Sequence, residues 1–405
     1  MGINLNFAPA LDVNVNPRNA VIGIRAFGDD PILVGELGAA MLHAMQAEGV
    51  IATAKHFPGH GDTSADSHFA VPTNHHPMAR LEAVELLPFR QAIAAGVQAV
   101  MTAHVVFDAV DPGQLATQSR IIIQDLLRRQ LGFDGLVLTD ALDMFAAARN
   151  GGAAGVRSAL EAGADIALLA HLPDQFALAE AMQPLLNAES VRRIARVRQG
   201  LPQELPPLSV VGCDEHHAIA QDIADRSITL VRDNGQLPLR LERDEPLVVI
   251  TVQPVDLTPA DTSSLVTIAL ADALRQRHPS VTALELPFGA TDAEVRAVLE
   301  AAAGARVIVG TIAATDDPAQ GALVQALEER GQSPIVVAMR TPYDILSFPK
   351  VATYLCAYGI RPVTCEAIAR VVFGEIAATG LLPCAIPGVE QNTALLPTAR
   401  QEKPL

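Results

Sequence analysis

The chain has 405 residues, half of them hydrophobic and 18% charged, with a formal net charge of −16. That length exceeds one ordinary core and predicts two globular domains. The acidic balance excludes partners whose phosphates must be neutralised, so neither nucleic acid nor an anionic membrane surface is expected.

No apolar stretch of about 18 residues runs free of charges or breakers, so no spanning helix is predicted. Nothing after Met1 reads as a signal peptide. Cys213, Cys356, Cys365 and Cys384 match no zinc spacing and are expected to be reduced core thiols, which favours a cytoplasmic setting.

In the first half, apolar runs at Asn6–Val13, Val50–Phe57, Ala99–Phe107, Gly135–Leu142 and Ala164–Ala170 alternate with helical patterns. Those patterns cover Pro31–Glu48, Met78–Ala95, Ser119–Leu131 and Asp143–Ala162, the first of them opened by the acidic pair Asp29-Asp30. Such alternation predicts βαβ units and a parallel sheet. Polar residues close successive runs: Asp12, then Lys55 with His56, then His104, then Asp140. At the carboxyl ends of parallel strands they converge on one face, where barrel active sites lie.

The Pro-bearing stretch Leu201–Ser209 reads as a linker, followed by a helix near Glu215–Arg226. A second series of about five strands follows at Leu247–Val252, Val281–Leu286, Val307–Ile312, Ile335–Met339 and Thr353–Ala357. The expected organisation is therefore a barrel-type domain over 1–200, a linker and helix over 201–226, an α/β sandwich over 227–388 and a tail over 389–405.

The chemistry concentrates in Lys55–Pro72, KHFPGHGDTSADSHFAVP, where Pro58, Gly59 and Gly61 prevent helix and shape a loop. Asp66 and His68 lie two apart, a spacing that on a loop allows a carboxylate to orient an imidazole and raise its basicity. The same residues also suit a polar surface loop with Asp66 capping a turn. In GLVLTDALDM, Asp140 stands at a strand tip, either capping the next helix or facing the site as a nucleophile. His56 and His60, with His104 and Asp140, raise the possibility of a metal centre, but Pro58 and Gly59 preclude an HxxxH helix face, so no metal is expected. Asp12 is expected to bridge loops rather than bind substrate. His75 and His76 are expected to face solvent.

KHFPGHGDTSADSH followed by GFDGLVLTDALDM resembles family 3 glycoside hydrolases in their β-N-acetylglucosaminidase branch, with NFAPALDVNVNPRN, VIGIRAFGDDP and VMTAHVVF in support. The resemblance covers Met1 to about Ala170, and the second half is similar to the α/β sandwich of two-domain members. It implies an incomplete (β/α) TIM-type barrel followed by that sandwich domain, with no cofactor. It further implies Asp140 as nucleophile, His68 as acid/base held by Asp66, and Arg25, Lys55, His56 and His104 as substrate-binding residues. A histidine thus stands where retention normally uses a second carboxyl group. The implied activity is retaining hydrolysis of terminal β-linked N-acetylglucosamine from oligosaccharides or peptidoglycan fragments. A phosphorylase or β-glucosidase of the same family, and a non-catalytic sugar-binding remnant, stand as alternatives. Relatives carry an upstream aspartate-glutamate-Gly-Gly segment that this chain lacks, and five barrel strands are counted where eight close a barrel. The expectation is that the first strands are missing.

Overall fold

In the computed structural model, residues 2–19, 21–63, 70–148, 152–185, 187–202, 204, 206–259 and 261–389 are described. Asp66, His68 and residues 390–405 of the tail expected over 389–405 lie outside them. The chain divides into two units, Met1–Leu208 and Ser209–Leu405.

The first unit contains β1 (Leu5–Asn6), β2 (Ile51–Phe57), β3 (Thr73–Asn74), β4 (Ala99–Thr102), β5 (Val106–Phe107), β6 (Leu136–Ala141) and β7 (Ile166–Leu168). Five of these form one parallel sheet in the order β1-β2-β4-β6-β7, while β3 and β5 pair separately. The sheet is an incomplete barrel, with the outer sides of β1 and β7 unpaired among the described residues. Its strands are near-continuous apolar runs because both faces are covered. Ala52, Ala54, Val100 and Val137 pack outward with Leu42, Phe89, Ile122, Leu126 and Val156 of the surrounding helices. The first of those helices, Pro31–Ala47, starts where the Asp30 carboxylate accepts the Ile32 and Leu33 amides at 2.8 and 3.5 Å, with Pro31 opening the first turn.

The opposite, inner face carries Ile51, Ala99, Leu136 and Leu138, and the helix Ala188–Gln199 lays Ile194 and Val197 against them, joined by Leu201. Asp165, at the start of β7, clasps that helix. One carboxylate oxygen accepts from Ser190 Oγ at 2.6 Å and Arg193 Nη1 at 3.0 Å; the other accepts from Arg128 Nη2 at 2.7 Å and the Val137 amide at 2.8 Å. The carboxylate is wholly buried. Replacing Asp165 with alanine strands Arg128 without its buried counter-charge, whereas Arg193 falls back on Asp134, 3.5 Å from its Nε. The expected loss is about 3 kcal/mol, read as a lowered urea midpoint with unchanged slope. A midpoint within experimental error of wild type would show that the clasp contributes nothing.

The second unit is an open sheet of β8 (Thr229–Arg232), β9 (Leu247–Val252), β10 (Val281–Leu286), β11 (Arg306–Thr311), β12 (Ile335–Ala338) and β13 (Thr353–Cys356). The order is β10-β9-β11-β12-β13-β8, parallel except for β8 against β13. Helices on both faces make it an α/β sandwich. Among the described residues the count is six strands, one more than the sequence predicts. The addition is β8, a four-residue edge strand directly after the helix Asp214–Ser227. Among the described residues no helix is long and apolar enough to cross a membrane.

Candidate active site

The strand ends of the first unit meet around Asp12. The chain leaves β1 through Pro9, which has no amide to donate, and stays beside β2: the Thr53 and Lys55 amides donate to the Ala8 and Pro9 carbonyls at 2.8 and 3.2 Å, and the Leu11 amide donates to the Lys55 carbonyl at 2.6 Å. This carries Asp12 beneath the loop that follows β2. There one carboxylate oxygen accepts the His56 and His60 amides at 3.1 and 2.7 Å, and the other accepts His56 Nδ1–H at 2.7 Å. Asp12 is fully buried. Burial pushes its carboxyl up, but the His56 ring, and then His60, hold it far below the usual carboxylate range.

Around this hub the loop is drawn tight. A Cβ on Gly61 would lie 1.9 Å from the Val13 carbonyl oxygen, so only glycine passes there. Asn19 donates to the His60 carbonyl at 2.7 Å, and His60 Nδ1 pairs with Thr63 Oγ1 at 2.7 Å. Burial, then the adjacent His56 charge, lowers His60 to about 4, so that ring is neutral near pH 7. His76 Nε2 meets Asp62 at 2.5 Å. His75 is exposed and paired with Asp108 at 2.6 Å. Asp66 and His68 fall in the stretch between Thr63 and Ala70 that lies outside the described residues.

With Nδ1 committed to Asp12, His56 turns Nε2 toward Asp140, 3.8 Å from Oδ2. The other Asp140 oxygen accepts the Ala141 amide at 2.8 Å. Asp140 does not cap the next helix, Phe145–Ala148, and its side chain is 26% exposed, open to a reactant. Burial raises its carboxyl, but His56, His104, the Ala141 amide and Lys55 together outweigh burial and hold it below the ordinary aspartate value. Burial, then the neighbouring Arg25 guanidinium, lowers the Lys55 ammonium against the opposite pull of Asp140 and Asp12. Arg25 is fixed by Nε and Nη2 on the Val21 carbonyl.

His104, 1% exposed, has Nδ1 2.8 Å from Thr117 Oγ1 and Nε2 2.9 Å from the Ala141 carbonyl oxygen. Five residues singled out from the sequence, Arg25, Lys55, His56, His104 and Asp140, are thus brought together. Asp143 is engaged elsewhere, accepting the His171 amide at 3.1 Å. Thr117, in the short helix Ala116–Gln118, and Asn19 were not singled out from the sequence as site residues, being ordinary polar residues. Among the described residues no three His, Cys, Asp or Glu side chains converge as cation ligands.

The arrangement is an ionised, accessible carboxylate at a strand tip, with Lys55, His56 and His104 close by, which suits attack on an electrophilic carbon. Residues 1–197 match the sequence profile of the glycosyl hydrolase family 3 N-terminal domain. A β-hexosaminidase A from Pseudoalteromonas piscicida is 30% identical over 95% of this chain and 74% of its own length. The chain belongs to glycosyl hydrolase family 3. A second relative, a β-hexosaminidase from Thiobacillus denitrificans, is 39% identical over 59% of this chain and 65% of its own. Among solved structures, a family 3 β-N-acetylglucosaminidase from Paenibacillus sp. superposes with a TM-score of 0.87 at 37% identity, covering 95% of this chain and 77% of that one. These relatives come from the branch of family 3 that the Lys55–His68 segment resembles.

Proposed function

We propose that the chain is a retaining glycosidase that removes terminal β-linked N-acetylglucosamine from oligosaccharides or peptidoglycan fragments. The observation that carries this is Asp140, ionised and open at the tip of β6, with Oδ2 facing His56 across 3.8 Å. In the first step Asp140 attacks the anomeric carbon. The bond to the aglycone oxygen breaks, and His68, oriented by Asp66, gives that oxygen its proton. In the second step a water adds to the anomeric carbon, its proton passes to His68, and the Asp140 ester is released. Arg25, Lys55 and His56 grip sugar hydroxyls. The four cysteines form no disulfide, which suits a reducing compartment, and we place the enzyme in the cytoplasm.

Substrate class is tested with paired chromogenic glycosides. Aryl β-N-acetylglucosaminide is expected to turn over at least about tenfold faster than aryl β-glucoside, a gap of about 1.4 kcal/mol in transition-state binding. Equal or reversed rates would remove the assignment, and no turnover of either would favour a sugar-binding remnant. Sugar 1-phosphate appearing only with added phosphate would indicate a phosphorylase. His68→Ala is expected to slow substrates with poor leaving groups far more than activated aryl glycosides, which depart without a proton. A uniform loss across leaving groups would instead give His68 a binding or folding role.

A further inference from the structure

His104 lies just after β4, one strand over from Asp140, and both its ring nitrogens are occupied by protein atoms. The hydrogen-bond accounting around it has one neutral solution. Nε2 faces a carbonyl oxygen, which only accepts, so Nε2 carries the proton. Nδ1 of the neutral ring is then bare, so the single proton of the Thr117 hydroxyl, which also lies 2.9 Å from the Ala103 carbonyl oxygen, must turn to Nδ1. Thr117 Oγ1 in turn accepts from Thr102 Oγ1 at 3.0 Å, and the Ala103 carbonyl keeps the Thr117 amide at 3.2 Å. Thr102, Thr117 and His104 are all buried, so no bulk water substitutes for a missing member.

The chain of bonds ends on the residue after the nucleophile. His104 holds the Ala141 carbonyl, and the Ala141 amide holds Asp140 Oδ1. With both polar backbone groups of Ala141 fixed, Oδ1 is committed and Oδ2 is the oxygen left to attack. We propose that His104 is a positioning residue for Asp140, that the Thr117 hydroxyl anchors its ring, and that it does not contact the sugar. This rests on Asp140 being the nucleophile.

The test uses the full chain with Thr117→Val, Thr117→Ser and His104→Asn, an activated aryl β-N-acetylglucosaminide, and a fluorinated slow substrate that traps the ester. Because the activated substrate leaves unprotonated, its rate reports attack by Asp140 rather than proton donation. Thr117→Val keeps the side-chain shape and removes the hydroxyl. It is expected to slow ester formation by about 10- to 100-fold, the scale of a small misplacement of a reacting group, with KM within about twofold of wild type. Thr117→Ser is expected to restore most of the rate, and His104→Asn to lose at least as much as Thr117→Val. Histidine-selective nitrogen NMR supplies a readout independent of turnover: one ring protonated on Nε2 in wild type and in Thr117→Ser, and a changed signal for that ring in Thr117→Val. Wild-type ester formation in Thr117→Val, or a loss carried wholly by KM, would overturn the positioning role. If the wild-type chain does not turn over the aryl substrate at all, the catalytic reading has failed, and the tautomer signal still decides the Thr117–His104 link. An unchanged His104 signal in Thr117→Val overturns that link.

Discussion

Asp140→Asn is expected to reduce turnover of aryl β-N-acetylglucosaminide by at least about a thousandfold, in line with removal of a covalent nucleophile. The loss is expected without unfolding. Asparagine keeps a carbonyl oxygen to accept the Ala141 amide. A fluorinated slow substrate should label a peptide containing Asp140 in the wild type and leave the variant unlabelled. A label on Asp143 would show that the wrong carboxylate has been assigned, although its bond to the His171 amide argues against that. Attack requires the ionised form, and the carboxyl is held below its ordinary value, so activity should persist as pH falls past the usual aspartate range of about 3.9. It should be lost only as pH drops through the lowered value. An acid limb of kcat/KM well above the ordinary aspartate value would mean that another group controls it.

Asp12→Ala should damage both stability and activity. The substitution leaves the His56 amide, the His60 amide and the His56 ring N–H without an acceptor in a fully buried place. The expected cost is about 3–5 kcal/mol. A ring freed at Nδ1 also loses the tautomer that aims Nε2 at Asp140, so kcat of the surviving folded fraction should fall too. The pH dependence supplies a sign. Asp12 is held far below its unfolded value of about 3.9, so its stabilisation is complete above that value and declines as pH falls toward the folded one. The stability gap between wild type and Asp12→Ala should therefore be flat from neutral pH to about pH 5 and narrow in stronger acid. A gap that widens on acidification, or a variant as stable and active as wild type, would remove Asp12 from the centre of the site.

Fold class was legible because apolar runs and amphipathic stretches alternate, and β9 and β10 lie at the residues predicted, Leu247–Val252 and Val281–Leu286. The errors have local causes. The run Asn6–Val13 contributes only Asn6 to a strand, β1 being Leu5–Asn6; beyond it the chain follows β2 through irregular backbone bonds that include Pro9 and deliver Asp12. The run Ala99–Phe107 splits into β4 and β5, since Ala103–Val105 bend to turn His104 inward. The expected helix Met78–Ala95 breaks between Ala83 and Leu86, where buried Glu85 pairs with Arg80 at 2.7 Å. At the site, residue types at strand ends were visible in the sequence, but their partners were not. Asp12 meets His56 and His60 across 44 and 48 positions, and Thr117 meets Thr102 across 15. Such pairings depend on where the chain returns, which no local pattern records.

The helix against the inner face divides each strand into two regimes. At one end Ile51, Leu136 and Leu138 are sealed by aliphatic neighbours. At the other, on the same strands, stand Lys55 and Asp140, the residues proposed to meet the sugar. Leu136 and Asp140 are separated by only three residues, yet the first position tolerates nothing polar and the second nothing neutral. For a protein engineer this makes the unit separable: mutations that harden the scaffold belong at the sealed end, around Asp165 and the Ala188–Gln199 helix. Libraries that retune sugar preference belong at the open end, where they can be screened without eroding the sealed one.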